Sequence, residues 1–225
     1  MTLIDPGPCV WNLPDPRTSE PGEEILAIGA DLAPSTLLSA YCNGLFPMHV
    51  SSGELAWWSP DPRGVMELDN LQVSASLRKS MRRYRVTFDT AFELVMRGCD
   101  ENRSESWITH EFIDSYCALH EMGWTHSVEV WDEEELVGGL YGIEVGGLFA
   151  GESMFHRKRD ASKVAFVTLV EHLKDAGGVR LFDVQWKTDH LETLGVSEIS
   201  RNDYLDRLSV AVSQPGYFSE LNRTT

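Results

Sequence analysis

The sequence predicts an α+β fold, a mixed sheet flanked by helices. Two stretches carry that prediction and one absence sharpens it. From Gly147 to His190 the chain reads as a strand through Gly151-Glu152-Ser153-Met154-Phe155, a polar turn, a long amphipathic helix, and a second strand ending at Asp183-Val184-Gln185. A crossover helix of that length joins adjacent parallel strands. Upstream, Thr125 to Trp131 alternates as a strand, Asp132-Glu133-Glu134-Glu135 turns, and Leu136 to Ile143 returns as the antiparallel partner. The glycine pairs never form a Gly-x-Gly-x-x-Gly turn between strand and helix, and there is no phosphate-loop lysine motif. The fold is therefore not a doubly wound dinucleotide domain.

The elements follow in order. Residues 1–25 are rich in proline and acidic groups, with Trp11 and Leu13 as anchors onto a larger body. After the run Ile25 to Leu32, Pro34 and Ser35 start a helix carrying Leu37, Leu38 and Tyr41, which Asn43-Gly44 closes. Phe46-Pro47 must be extended or turning. Trp57 and Trp58 are adjacent on a strand and face opposite ways, so one enters the core while the other lines a surface or pocket. Two prolines then lead to Arg63, where a boundary is expected between a small N-terminal domain, 1–63, and a larger domain, 64–225. Beyond it, Met66 to Leu71 reads as a strand, Ser74 to Arg82 as a short helix, and Arg85 to Asp89 as a strand. A helix from Thr90 to about Arg97 should end at Gly98. After the acidic loop Asp100 to Glu105, Trp107-Ile108-Thr109 introduces a helix with Phe112, Ile113, Tyr116 and Leu119, stopped by Gly123. In the crossover helix, Val164, Phe166, Val167, Val170 and Leu173 recur at three- and four-residue spacing as a core-facing stripe, and Gly177-Gly178 stops it. Asp189 to Gly195 forms a short helix, and Ser200 with Asp203 is an acidic variant of a capping box for the last one.

Composition bounds the function. With 225 residues the chain can bury a substantial core, and no apolar run approaches membrane-spanning length. The start Met1-Thr2-Leu3-Ile4-Asp5-Pro6 lacks the basic and apolar regions of a signal peptide, which points to a cytoplasmic protein. Cys9, Cys42, Cys99 and Cys117 are scattered without metal-ligand spacing, and the histidines show none either, so no metal or other cofactor is expected. A formal charge of −16 argues against a protein that coats nucleic acid nonspecifically, yet leaves room for a local basic site. Arg78, Lys79, Arg82, Arg83 and Arg85 concentrate such charge: a solvated helix face, or a patch that guides one polyanion to one place.

Two parallel strand ends open at the same sheet edge, where open α/β sheets keep their ligands. Glu152 stands at one mouth. Asp183 and Gln185 stand at the other, two apart and hence expected on the same face. A carboxylate at a strand end is often only a turn or capping residue; convergence of three polar groups is what suggests a site. Two carboxylates and an amide, with no serine or cysteine paired to a histidine, suit attack by an amine on an already activated acyl ester.

Gly44-Leu45-Phe46-Pro47, Trp57-Trp58-Ser59-Pro60-Asp61-Pro62-Arg63, Trp107-Ile108-Thr109, Gly151-Glu152-Ser153-Met154-Phe155, Ala161-Ser162-Lys163 and Asp183-Val184-Gln185 resemble the signature segments of the bacterial leucyl/phenylalanyl-tRNA–protein transferase family. The resemblance runs from about Glu24 to Leu208. It implies a larger domain like the acyl-CoA N-acyltransferase fold, and an enzyme that moves leucine or phenylalanine, sometimes methionine, from aminoacyl-tRNA onto an N-terminal arginine or lysine, marking that protein for N-degron proteolysis; separately from the resemblance, a monomer is expected. By the same resemblance, Gln185 holds and deprotonates the attacking α-amine, Asp183 polarises that amide, and Glu152 sits beside the aminoacyl group. Gly151, Ser153 and Met154 shape the aminoacyl pocket. Tyr41, Trp57, Trp107 and Tyr116 surround the terminal adenosine and its amino acid, and Arg78, Lys79, Arg82, Arg83 and Arg85 meet tRNA phosphates. The chain departs from the family pattern at Met48, where an aromatic residue is usual. Two other readings stay open: a transferase using aminoacyl-tRNA on another amine such as a cell-wall precursor, and a catalytically silent binder of charged tRNA.

Overall fold

A computed structural model describes residues 3–20, 22–101 and 108–218. Strands β1 (Ile25–Ile28), β2 (Phe46–His49) and β3 (Leu55–Trp58) form a small antiparallel sheet in the order β1-β3-β2, with helix α1 (Pro34–Cys42) connecting β1 to β2. The larger sheet contains β4 (Arg63–Met66), β5 (Arg85–Phe88), β6 (Thr125–Asp132), β7 (Glu135–Val145), β8 (Leu148–His156), β9 (Leu181–Gln185) and β10 (Ser197–Ile199). Its order is β10-β4-β9-β8-β7-β6-β5. The β8–β9 pair is parallel and the other neighbours are antiparallel, so the expected hairpin does feed a parallel crossover.

Helix α5 (Ala161–Asp175) makes that crossover, and its predicted stripe is buried throughout. Alternate strand residues supply the two faces of the sheet. Phe149 and Phe182 pack with α5, whereas Leu148, Ala150 and Leu181 pack with α1, α3 (Phe92–Glu101), α4 (His110–Glu121) and α7 (Arg201–Ala211). Trp57 of the small sheet joins the second group, so one apolar cluster spans both sheets. Each leucine or phenylalanine among them contributes about 1.5–3 kcal/mol on full burial. Thr109 and Ser200 cap α4 and α7 by accepting from the amides of Phe112 and Asp203.

Two expectations need correction. The strand placed at Met66 to Leu71 lies earlier, at Arg63–Met66, and Leu68–Asn70 is a 3-10 turn. Pairing with β9 decides this, because Gly64, Val65 and Met66 are the residues opposite its ladder. Gly98 does not end α3, which continues to Glu101. The glycine is there for packing: a Cβ would lie 2.6 Å from Cζ of Phe155.

Candidate active site

Strands β8 and β9 pair only at Leu148–Leu181, Phe149–Phe182 and Ala150–Asp183. Beyond that point they part, and a crevice of about 480 Å³ opens between them. Gly151, Glu152, Ser153 and Met154 line one side, and Val184, Gln185 and Trp186 the other. Its apolar depth includes Leu140, Phe166 and Phe182, and β2 contributes Phe46, Pro47 and Met48. Thr188, His190 and Leu191 of the segment containing α6 (Asp189–Glu192) also line it.

Glu152 and Gln185 lie two residues past the last ladder pair, one on each strand. Their side chains replace the missing ladder: Nε2 of Gln185 donates to Oε1 of Glu152 at 3.2 Å. This turns the amide oxygen of Gln185 away from Glu152, leaving it as an acceptor without a donor among the described residues. Behind Glu152, the Tyr116 hydroxyl donates to Oε2 at 3.3 Å and lies 2.6 Å from the Tyr41 hydroxyl. Burial pushes the Glu152 carboxyl up to about 8; the two tyrosine hydroxyls oppose the shift and the negative charge of Asp183 adds to it. Both phenols are raised well above their ordinary range, first by burial and then by Glu152, so they stay protonated.

Gln185 has an unusual backbone. Its φ is 59°, and the Trp186 amide donates to the Val184 carbonyl at 2.7 Å, closing a three-residue turn around it. The register slips opposite this turn, so that Gly64 faces Gln185 and Val65 faces Asp183. Gly64 permits the approach, since a Cβ there would lie 2.8 Å from both the Lys187 nitrogen and the Trp186 carbonyl carbon. Val184 and Gln185, adjacent in sequence, thereby both reach the crevice.

Asp183 does not. It is fully buried and bonded bidentately to Arg63, with Nε to Oδ1 at 2.8 Å and Nη2 to Oδ2 at 2.6 Å. Oδ1 also accepts the Gln185 amide N–H at 2.9 Å, and Oδ2 the Tyr204 hydroxyl at 2.9 Å. Burial works against the Arg63 charge, but Asp183 outweighs it and the guanidinium stays protonated. Its Cζ lies 4.9 Å from the Phe46 ring centroid and 4.4 Å from that of Tyr204.

The expected site residues therefore divide. Glu152, Gln185, Met48, Gly151, Ser153 and Met154 share one crevice. Asp183 makes no hydrogen bond to the Gln185 side chain; it holds the Gln185 backbone N–H, and Glu152 holds the amide. Nor do Tyr41 and Tyr116 offer ring faces to a base, because both are buried under Glu152 and reach it only through hydroxyls. Trp57 is core, its indole N–H donating to the Gly29 carbonyl; Trp58 is the partner that packs edge-on against Trp186 at the crevice wall. Trp107 lies outside the described residues. Among the residues that sequence reasoning missed, Trp186 and His190 carried no signal beyond position, whereas Arg63 entered only as the expected domain boundary and the last residue of the Trp57–Arg63 motif.

Arg78, Lys79, Arg82, Arg83 and Arg85 are all exposed on or just after α2 (Ala75–Met81). Arg83 is engaged by Asp132 at 2.6 Å and Arg85 lies over the Trp131 ring, while Arg78, Lys79 and Arg82 form no ion pair among the described residues. Ser80 and Tyr84 bond to Asp160 and to the Arg159 carbonyl, docking this basic segment on the start of α5. Among the described residues no cluster of three metal-ligating side chains occurs, and no helix is long and apolar enough to cross a membrane.

Comparison with known proteins adds an independent finding. Residues 65–209 match the family model of leucyl/phenylalanyl-tRNA protein transferase, and residues 30–61 match the model of that family's N-terminal domain. A leucyl/phenylalanyl-tRNA–protein transferase of Anaeromyxobacter sp. (strain Fw109-5) is 49% identical over 210 residues, covering 91% of this chain and 88% of its own. One from Stutzerimonas stutzeri (strain A1501) is 52% identical over 196 residues, covering 85% and 86%. A solved GCN5-related N-acetyltransferase-like protein from Streptococcus suis 89/1591 aligns with a TM-score of 0.38 at 11% identity, over 73% of this chain and 63% of its own. With residues 30–61 and 65–209 matched by the two models of one family, and about half of all aligned residues shared with its members, the chain belongs to the leucyl/phenylalanyl-tRNA protein transferase family.

Proposed function

We propose that the protein transfers leucine or phenylalanine, and methionine as a further side chain unbranched at Cβ, from aminoacyl-tRNA to the N-terminal arginine or lysine of proteins. The products are marked for N-degron proteolysis, and the enzyme acts as a cytoplasmic monomer. One observation carries the reading: an amide oxygen, aimed by Glu152, stands at the head of an apolar crevice that accommodates one leucine- or phenylalanine-sized group.

In the reaction the α-amine attacks the ester carbonyl, an amide bond forms, and the bond to the terminal ribose breaks. The amine loses one proton and the ribose oxygen gains one. Gln185 Oε1 accepts an N–H of the amine and orients its lone pair. An amide oxygen is too weak a base to retain a proton, but an α-amine with an ordinary pKa of about 8 supplies enough neutral form near pH 7. Positioning therefore provides most of the gain, which reaches about 7–11 kcal/mol in well-oriented reactions. Leu140, Met154, Phe166 and Phe182 receive the transferred side chain. Arg78, Lys79 and Arg82, free of ion pairs among the described residues, meet acceptor-stem phosphates, reading charge and shape.

The test is transfer of labelled leucine from charged tRNA to a peptide beginning with arginine, without added nucleotide or metal. Product is expected, and its absence removes the proposal. A cell-wall-type amine offered in competition should remain unmodified. Gln185→Ala should lower kcat about 100-fold while leaving tRNA affinity intact; equal losses in both would remove Gln185 from its role as acceptor of the amine.

A further inference from the structure

We propose that Arg63 and Tyr204 are positioning residues for the transfer reaction, acting through Asp183 to hold Gln185 in its left-handed turn. This rests on Gln185 being the group that receives the amine. A φ of 59° is a backbone conformation that L side chains rarely adopt, so the turn persists only where its surroundings over-determine it. The surroundings do so through one carboxylate. Arg63 Nε at 2.8 Å and the Gln185 N–H at 2.9 Å converge on Oδ1 of Asp183. Arg63 Nη2 at 2.6 Å and the Tyr204 hydroxyl at 2.9 Å converge on Oδ2. Four donors saturate the acceptor capacity of a carboxylate. Asp183 then has none left for the Gln185 side chain, so its influence passes through the backbone.

The clamp is anchored on three elements. Arg63 begins β4, Tyr204 is on α7, and the Arg63 Nη1 donates at 3.2 Å to the Gly44 carbonyl just beyond α1. The guanidinium lies between the Phe46 and Tyr204 rings, and both Arg63 and Tyr204 are about 1% exposed. Phe46 also lines the crevice. The same cation thus touches both the turn that presents Gln185 and Phe46 of β2, whose ring packs edge-on against Trp186, a linkage between the small sheet and the reacting amide.

Tyr204→Phe is the decisive variant, since it keeps the ring and removes one donor. It should lower kcat about tenfold with KM for charged tRNA unchanged. In a Gln185→Ala background the same substitution should have no further effect on kcat, because its route of action is gone; an equal fall in both backgrounds overturns the proposal. Hydrogen exchange of the Gln185 amide reads the clamp without catalysis and should be about tenfold faster in Tyr204→Phe and in Arg63→Lys. Unchanged exchange overturns the clamp. If Gln185→Ala alone leaves kcat at the wild-type value while exchange still accelerates in Tyr204→Phe, the clamp stands but the reading of Gln185 fails, and with it the catalytic consequence of the clamp.

Discussion

Glu152→Gln should separate the cost of a buried acid from its service to Gln185. The carboxyl is displaced from an ordinary 4.5 to about 8, with burial as the largest cause. The folded protein therefore binds this proton more tightly than the unfolded chain. The contribution of the group to stability is fully present below pH 4.5 and is lost as pH rises through about 8. At face value the displacement corresponds to about 5 kcal/mol. Glu152 lines an open crevice, and solvent there screens the charge, so an effect of roughly 2–3 kcal/mol is expected. Glutamine has no proton to lose, and it can still accept from the Gln185 Nε2 through its oxygen while donating to the tyrosine hydroxyls. Urea unfolding at pH 5.5, 7 and 8.5 measures the difference. The variant's stability relative to wild type should increase with pH across that range, whatever constant offset the substitution introduces. Parallel stability profiles for the two proteins would refute the assignment of Glu152 as a group whose charge is resisted by its surroundings.

Replacing Arg78, Lys79 and Arg82 together by glutamine should weaken charged-tRNA binding and reduce the slope of log K against log salt by roughly 0.7–0.9 for each phosphate no longer neutralised, with single-turnover transfer at saturation unchanged. A slope that does not move would place the phosphates elsewhere. Gly64→Ala forces a Cβ against the backbone of Trp186 and Lys187 and should cost about 1–3 kcal/mol in thermal or urea unfolding, along with a fall in kcat. Met48→Trp adds an aromatic face at the crevice rim and should lower KM for charged tRNA, since stacking is worth roughly 1–3 kcal/mol per base; an unchanged KM would show that position 48 does not meet the terminal base.

The sequence alone determined the elements whose cause is local. The stripe from Val164 to Leu173 specifies a helix because its period is the helix's own, and a crossover of that length makes β8 and β9 parallel neighbours. That topology already brings Glu152 and Gln185 to one sheet edge, and the motifs around them already named the family. Tertiary structure decided which way the polar side chains turn. Strand alternation puts Asp183 and Gln185 on one face, but a positive φ at Gln185 and a register slip against Gly64 send one inward and the other into the crevice. Nothing in a one-dimensional pattern distinguishes a tyrosine that stacks on a base from one buried beneath a carboxylate, as Tyr41 and Tyr116 are. Their burial depends on α1 and α4 packing over the same sheet face, a long-range arrangement. Arg63 and Asp183 lie 120 residues apart, and only the closed fold makes them one ion pair. Local periodicity is encoded residue by residue, whereas the pairing of buried charges is set by where the chain returns.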